Sequence, residues 1–379
     1  MSPTLASLQT PALILDRRIL EANLDRAAAR ATALGVRLRP HLKTAKSAHV
    51  ADLARRGPVD GFTVSTLKEA EYFFAHGCRD LYYAVPIEPG KFARAAALLR
   101  AGCDLAVAVD HSAVAAALAK AGTELGVRFP VVIEVDSGEH RSGVGVESDV
   151  LLEIARALSA GSGAFLRGVS THGGHSYAGR SPEALRAIAE QERAATVRAA
   201  ERLRAAGFAC AMVSVGSSPT MMHAEHLRGV TEIRCGVYML GDLFQAGIGA
   251  GRREDIAVSV LTAVIGHRPE KNTLLVDAGA LALSKDVSTH SLPPELHAGY
   301  GLVTDLAGRV LPGWIVGSVY QEHGLIAAPT PIDFSRYPIG TRLRILPNHS
   351  CITAAAYDRY YVVVGSDTVA AEWPRVNGW

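Results

Sequence analysis

Over its first two-thirds the chain alternates short runs of β-branched and apolar residues with Ala/Leu/Arg/Glu-rich stretches of helical period. That alternation restricts the fold more than any other feature. Parallel strands need a crossover long enough to hold a helix, so the pattern commits the chain to βαβ units. The strand-like runs are Val36–Pro40, Gly61–Ser65, Asp80–Val85, Leu105–Asp110, Pro130–Val135, Leu166–Thr171, Met212–Val215 and Glu232–Val237. The helical stretches between them include Arg17–Leu34, Leu67–His76, Lys91–Arg100 and Pro182–Ala206. Eight such strands point to an α/β fold built as a TIM-type (β/α)8 barrel. A doubly wound open sheet is the alternative. No GxGxxG follows an early strand, which argues against its dinucleotide-binding form.

The pattern changes after about residue 255. Strand-like runs take over at Ala257–Ile265, Thr273–Asp277, Trp314–Val319, Thr341–Ile345 and Tyr360–Val364, with turn signals at Ala307-Gly308 and Pro312-Gly313. The expected organisation is a barrel over residues 17–255 and a second, mainly β domain over 256–379. Thr10–Leu15 also reads as a strand, and residues 1–16 are expected to pair with that second domain.

A chain of 379 residues has room for both domains. Its 39 basic and 37 acidic residues nearly cancel, so charge offers no sign of a nucleic-acid partner. No apolar stretch approaches the roughly 20 residues needed to cross a bilayer, and Met1–Thr10 lacks the basic start and apolar run of a secretory signal. The five cysteines, Cys78, Cys103, Cys210, Cys235 and Cys351, are odd in number and form no CxxC pair, which fits a reducing cytoplasm.

Barrel enzymes place their chemistry at the C-terminal ends of the strands. The first run is followed by His41, Lys43 and Thr44, the fifth by Asp136, His140 and Arg141, the sixth by His172, Gly173, Gly174 and Tyr177, and the seventh by Gly216, Ser217, Ser218 and Thr220. A lysine at a barrel mouth can act as nucleophile and base; a surface lysine in a loop has the same spacing. The small residues at 216–220 can cradle a phosphate on backbone N–H groups. They also suit an ordinary strand-to-helix turn, with Ser218 as N-cap and Pro219 as first helical residue. The Arg141 fork suits a planar oxyanion, or an ion pair with Glu134 or Asp136. In Pro347-Asn348-His349-Ser350-Cys351, a strand would place His349 and Cys351 on one face. One imidazole and one thiolate can then hold a divalent metal with positions open for water or substrate. A buried thiol beside a hydrogen-bonded histidine is the plainer alternative.

The segment RPHLKTAKS (39–47) resembles the cofactor-lysine motif of the family that contains eukaryotic-type D-serine dehydratases, D-threonine aldolases and D-3-hydroxyaspartate dehydratases. These share the barrel-plus-β-domain architecture of alanine racemase. The resemblance continues through TVSTLKEAE (63–71), EVDSGEHRSGVG (134–145), THGGHSY (171–177), VSVGSSPT (213–220), RCGVYML (234–240), VDAG (276–279), QEHG (321–324) and LPNHSC (346–351). It implies that Lys43 carries pyridoxal 5'-phosphate covalently. It implies that Gly216, Ser217, Thr220, Gly236 and Tyr238 hold the phosphate, and that Arg141, His172 and Tyr177 lie near the cofactor ring. The dehydratase branch carries a His-x-Cys metal pair where the aldolase branch carries His-x-Asp, so His349 and Cys351 imply a dehydratase.

The expected activity is therefore metal-assisted dehydration of a D-β-hydroxy amino acid, D-serine or D-threo-3-hydroxyaspartate, to a 2-keto acid and ammonia. Zinc suits a His/Cys pair, with manganese, magnesium or cobalt as substitutes. Retro-aldol cleavage to glycine and an aldehyde is the runner-up. Racemisation needs a second base, for which Tyr300 and Tyr320 are available, but gives the metal pair no task. A non-catalytic pyridoxal-phosphate carrier resembles only the first domain. A homodimer is implied by the family.

Overall fold

The computed structural model describes residues 3–379, and the contacts divide the chain into two units. One unit contains Asp25–Gly236 with Gly378–Trp379; the other contains the N-terminal residues through Leu24 with Val237–Asn377. The division falls at Gly236/Val237, ahead of the composition change near residue 255 that the sequence marks.

In the first unit eight strands run parallel in the order Arg37–Leu38, Glu232–Ile233, Met212–Val215, Ala164–Ser170, Phe129–Asp136, Asp104–Val109, Asp80–Pro86 and Phe62–Val64. The sheet closes on itself. Leu42 N–H donates to the Thr63 carbonyl at 2.8 Å, and Thr63 N–H donates to the Pro40 carbonyl at 2.9 Å. All eight expected strands are present, and closure rules out the open doubly wound sheet. Apolar side chains fill the barrel, among them Tyr82, Ala106, Ala108, Val132 and Met212. Strands covered on both faces read as nearly continuous apolar runs, which is why Asp104–Val109 and Phe129–Asp136 are buried almost throughout.

The second unit is a largely antiparallel sheet. Its order is Thr273–Val276, Gly324–Ala327, Val310–Val319, Leu302–Thr304, Arg342–Leu346, Val258–Arg268, Ala12–Asp16, Arg359–Val363 and Ala371–Pro374. Thr273–Val276 also pairs with Val258–Arg268, which closes six of these strands into a small barrel. Ala12–Asp16 lies antiparallel to Val258–Arg268 and parallel to Arg359–Val363. A separate core of Leu5, Ile14, Leu261 and Val363 lies beneath it. No helix among the described residues is long and apolar enough to cross a membrane.

Candidate active site

In the parallel unit the sequence-marked residues gather at the C-terminal ends of the barrel strands. Lys43 is exposed in the turn that follows the first strand. Its backbone N–H points to His41 Nδ1 at 3.4 Å. Gly236 permits this approach, because a Cβ there would collide with the His41 carbonyl. His41 is held neutral, its pKa well below the usual histidine value; burial is the main cause, helped by the charges of Lys43 and Arg234. The same two forces lower His172 to about 3, burial first and then Lys43, with Arg141 and Arg234 adding to them. Its Nδ1 donates to the Gly216 carbonyl at 2.7 Å, which leaves Nε2 as an acceptor. Tyr177 stands 6.1 Å from the His172 ring, centroid to centroid.

The Gly216–Thr220 turn has the shape of a phosphate cradle. Gly216 has φ +145°, and a Cβ would collide with the Arg234 carbonyl, so only glycine fits. The N-cap of the Ser218–His223 helix is Ser217, one residue earlier than expected. Ser217 and Thr220 form a capping box, with Ser218 and Pro219 already inside the helix. With Ser217 in the capping role, the buried Ser218 hydroxyl has no partner among the described residues. An unpaired buried hydroxyl beside backbone stripped of side chains fits the phosphate of a bound cofactor.

Arg141 pairs with Glu139 at 3.2 Å and not with Glu134 or Asp136. The other two acids have their own partners: Glu134 accepts from Ser142 at 2.9 Å, and Asp136 meets His140 Nδ1 at 2.6 Å. The arginine side chain remains about half exposed. Two barrel residues absent from the sequence-based set shape this region. Arg234 is buried, donates to Ser214 Oγ at 2.9 Å and to the Thr171 carbonyl at 2.7 Å, and lies over the Tyr82 ring. Glu192 is a fully buried carboxylate that accepts from the Gly216 N–H at 2.9 Å and also from Gly173 and Thr220. It therefore latches the 172–177 and 216–220 loops to the long Pro182–Ala205 helix. Its signal lies in the helical spacing: Ala189, Thr196, Ala199 and Leu203 share its buried face, where a carboxylate is out of place unless bonded.

In the antiparallel unit His349 and Cys351 are not on a strand. The Arg342–Leu346 strand ends before Pro347, which cannot donate to a ladder. Asn348 then draws the chain inward: its amide donates to the Gly299 carbonyl at 2.6 Å and the Asp286 carbonyl at 2.8 Å, and it accepts from Thr289 at 3.1 Å. His349 becomes the N-cap position of the short Ser350–Ala354 helix, and Cys351 sits in its first turn. The pair still converges, since the imidazole hydrogen-bonds the Cys351 thiol. Asp286 Oδ2 approaches His349 Nδ1 at 3.3 Å. Burial opposes protonation of His349 most strongly, but Asp286, Cys351 and Asp242 outweigh it and raise its pKa well above the usual value. Asp242 is fully buried, which lifts its own carboxyl to about 6 even though Gln245 and Ser350 N–H groups donate to it. No set of three or more His, Cys, Asp or Glu side chains converges as a metal cage among the described residues. One imidazole and one thiol converging in acidic surroundings fit a divalent cation with open positions. Gly236 belongs to the parallel unit and Tyr238 to the antiparallel one.

A (β/α)8 barrel with its lysine at the strand ends, joined in sequence to an antiparallel β unit, defines an alanine-racemase-like fold. Residues 15–243 match the family described as "Alanine racemase, N-terminal domain", and residues 257–363 match a serine dehydratase domain. The chain is 48% identical to D-threo-3-hydroxyaspartate dehydratase of Delftia sp. (strain HT23), with 100% of each chain covered. It is 32% identical to D-serine dehydratase of Dictyostelium discoideum, with 98% of each covered. It is 30% identical to 3-hydroxy-D-aspartate aldolase of Paracoccus denitrificans (strain Pd 1222), covering 97% of this chain and 92% of that one. A cysteine-to-alanine variant of D-threo-3-hydroxyaspartate dehydratase, solved in the metal-free form, matches over 100% of both chains at 48% identity with a TM-score of 0.96. The chain belongs to the alanine-racemase-like, fold type III family of pyridoxal-phosphate enzymes, in the branch of D-serine dehydratases, D-threonine aldolases and D-3-hydroxyaspartate dehydratases.

Proposed function

We propose that this chain is a pyridoxal-phosphate- and divalent-metal-dependent lyase that removes water from a D-β-hydroxy amino acid. D-threo-3-hydroxyaspartate is the first candidate substrate and D-serine the second. The observation that carries the reading is the convergence of His349 and Cys351 in acidic surroundings. It is supported by 48% identity over the full length to a D-threo-3-hydroxyaspartate dehydratase. Solved variants of that relative replace a histidine and a cysteine two positions apart, the spacing of His349 and Cys351, and its cysteine variant is described as metal-free.

The cofactor domain is assigned to residues 17–255 and the metal-bearing domain to 256–379. Lys43 is the covalent anchor. Gly216, Ser217, Thr220, Gly236 and Tyr238 are assigned to the phosphate, and Arg141, His172 and Tyr177 to the ring side. Pyridoxal phosphate supplies an electron sink for a carbanion at Cα. Lys43 would take the α-proton, and the electron pair so left at Cα is what that sink would hold. His349 and Cys351 would hold the metal, zinc in this reading, which would supply Lewis acidity for departure of the β-hydroxyl as water. Loss of water leaves an enamine, which takes up one water on hydrolysis, so the net products are a 2-keto acid and ammonia. A homodimer follows from the family resemblance, and a reducing cytoplasm suits the five free thiols.

The test is incubation of cofactor-loaded protein with D-threo-3-hydroxyaspartate, D-serine and D-threonine, with and without EDTA, with keto acid, ammonia, glycine and aldehyde assayed together. Keto acid and ammonia that vanish with EDTA are expected. Glycine with an aldehyde would establish the aldolase reading, and the L-enantiomer alone would establish a racemase.

A further inference from the structure

The antiparallel unit shows how the imidazole of the metal pair is held. Resting on the metal reading given above, we infer that Asp286 is a positioning residue: it fixes His349 through Nδ1 so that Nε2 is the nitrogen offered to the metal. Asp286 Oδ2 stands 3.3 Å from His349 Nδ1, and its other oxygen accepts from the Ser288 N–H at 2.8 Å. The carboxylate is thus fixed at both ends, by its own turn and by the imidazole. The backbone on either side is fixed as well. The buried Asn348 amide, next to His349 in sequence, donates to the Asp286 carbonyl and the Gly299 carbonyl. Thr353 in the Ser350–Ala354 helix donates to the Leu283 carbonyl at 2.8 Å, and Tyr357 donates to the Ala282 carbonyl at 2.9 Å. The segment bearing Asp286 and the segment bearing His349 and Cys351 are therefore tied at four points. With Nδ1 engaged by a carboxylate, the ring has one nitrogen left. The Cys351 thiol lies within hydrogen-bond reach of that imidazole. A carboxylate behind a ligating histidine sets the tautomer, orients the ring and makes it a better donor.

Asparagine at 286 offers one acceptor where aspartate offers two, so either the Ser288 turn or the His349 bond is lost, along with the negative charge. Asp286→Asn in the cofactor-loaded enzyme should weaken Zn2+ and Co2+ binding about 10- to 100-fold, measured by competition with a chromophoric chelator. It should also shift the thiolate-to-cobalt absorption from Cys351. Pyridoxal-phosphate affinity serves as the internal control for folding and should not change. Asp286→Glu, which keeps both acceptors and the charge, should recover part of the metal affinity. Unchanged metal affinity in Asp286→Asn would overturn the inference. A second measurement needs no change at position 286. In 15N-histidine-labelled parent protein, with the His349 signals identified by their loss in His349→Ala, added Zn2+ should shift Nε2 and leave Nδ1 protonated. Metallated Nδ1 would overturn the inference even if Asp286→Asn failed to fold. If parent binding survived His349→Ala, the metal reading itself would fall, and this inference with it.

Discussion

In the parallel unit His172 lies among Lys43, Arg141 and Arg234; in the antiparallel unit His349 lies among Asp286, Cys351 and Asp242. Both imidazoles are partly withdrawn from water, and burial by itself lowers both. The neighbours decide the outcome. Cations add to the burial that lowers His172, whereas acids overcome burial and raise His349. The two histidines thus report fields of opposite sign. The strand ends of the barrel are prepared for anions, such as a phosphate or a substrate carboxylate, and the turn after Leu346 is prepared for a cation. A single composition with almost no net charge contains both, because the separation is local and three-dimensional.

The comparison breaks most sharply at Lys43 and Cys351. Lys43→Ala should abolish covalent cofactor retention and lower turnover about a thousandfold or more, through loss of the base. Bound metal should remain, because its donors belong to the other unit. Cys351→Ala should do the converse. Metal content falls and turnover drops about a hundredfold or more, as several kcal/mol of Lewis-acid assistance disappear, while the cofactor's visible absorbance persists. Cofactor absorbance and metal content, measured on the same samples, check both. Metal loss in Lys43→Ala, or cofactor loss in Cys351→Ala, would show that the two sets of ligands do not act separately.

A smaller effect sharpens the barrel side. Removing the Glu192 carboxylate leaves the buried Gly216 N–H without its acceptor. Glu192→Ala should cost about 1–3 kcal/mol of stability, the penalty for an unsatisfied buried group. It should also weaken cofactor binding, because the 172–177 and 216–220 loops lose their common latch. Chemical denaturation of the cofactor-free protein and cofactor titration read the two effects. A variant equal to the parent in both would mean that the carboxylate does not order the loops.

The barrel was legible because its eight strands are short, locally coded runs separated by helices of clear period. The strand from Met212 to Val215 has the predicted ends, and the others differ by a few residues. The Lys43 turn and the glycine-rich turn at 216 were legible because their chemistry is contiguous. The β unit was harder to read. Leu302–Thr304, Gly324–Ala327 and Ala371–Pro374 are three or four residues long, too short for alternation along the sequence to mark them. The alternation of the HxC pair suggests a strand, whereas Pro347 and the inward pull of Asn348 turn the chain into a helix cap. Its place before proline makes Ser218 the cap expected from sequence, yet the reciprocal bonds of Ser217 and Thr220 shift the helix start by one residue. Asp286 carries no local signal, since it reaches His349 across more than sixty positions.

The smallest expected effect is a pH dependence on the barrel side. His172 has its folded-state pKa lowered to about 3, chiefly by burial and then by Lys43, against about 6.5 in an unfolded chain. Between those values the unfolded chain binds a proton that the folded chain refuses, so stability falls as pH drops from about 6.5 toward 3. Above 6.5 neither state binds the proton, and the contribution is flat. Through that window one such group changes stability by at most about 1.4 kcal/mol per pH unit, less where the ring edge stays in contact with water. His172→Gln removes the titration while keeping a donor for the Gly216 carbonyl. The cofactor-free variant should therefore lose less stability than the parent on going from pH 7 to about 5, measured by denaturant midpoints at each pH. His349 is shifted upward, so its contribution runs in the opposite direction and cannot mimic this loss. Parallel curves for parent and variant would mean that neither burial nor the cations around Lys43 lower His172, and the contrast between the two fields would then rest on the metal side alone.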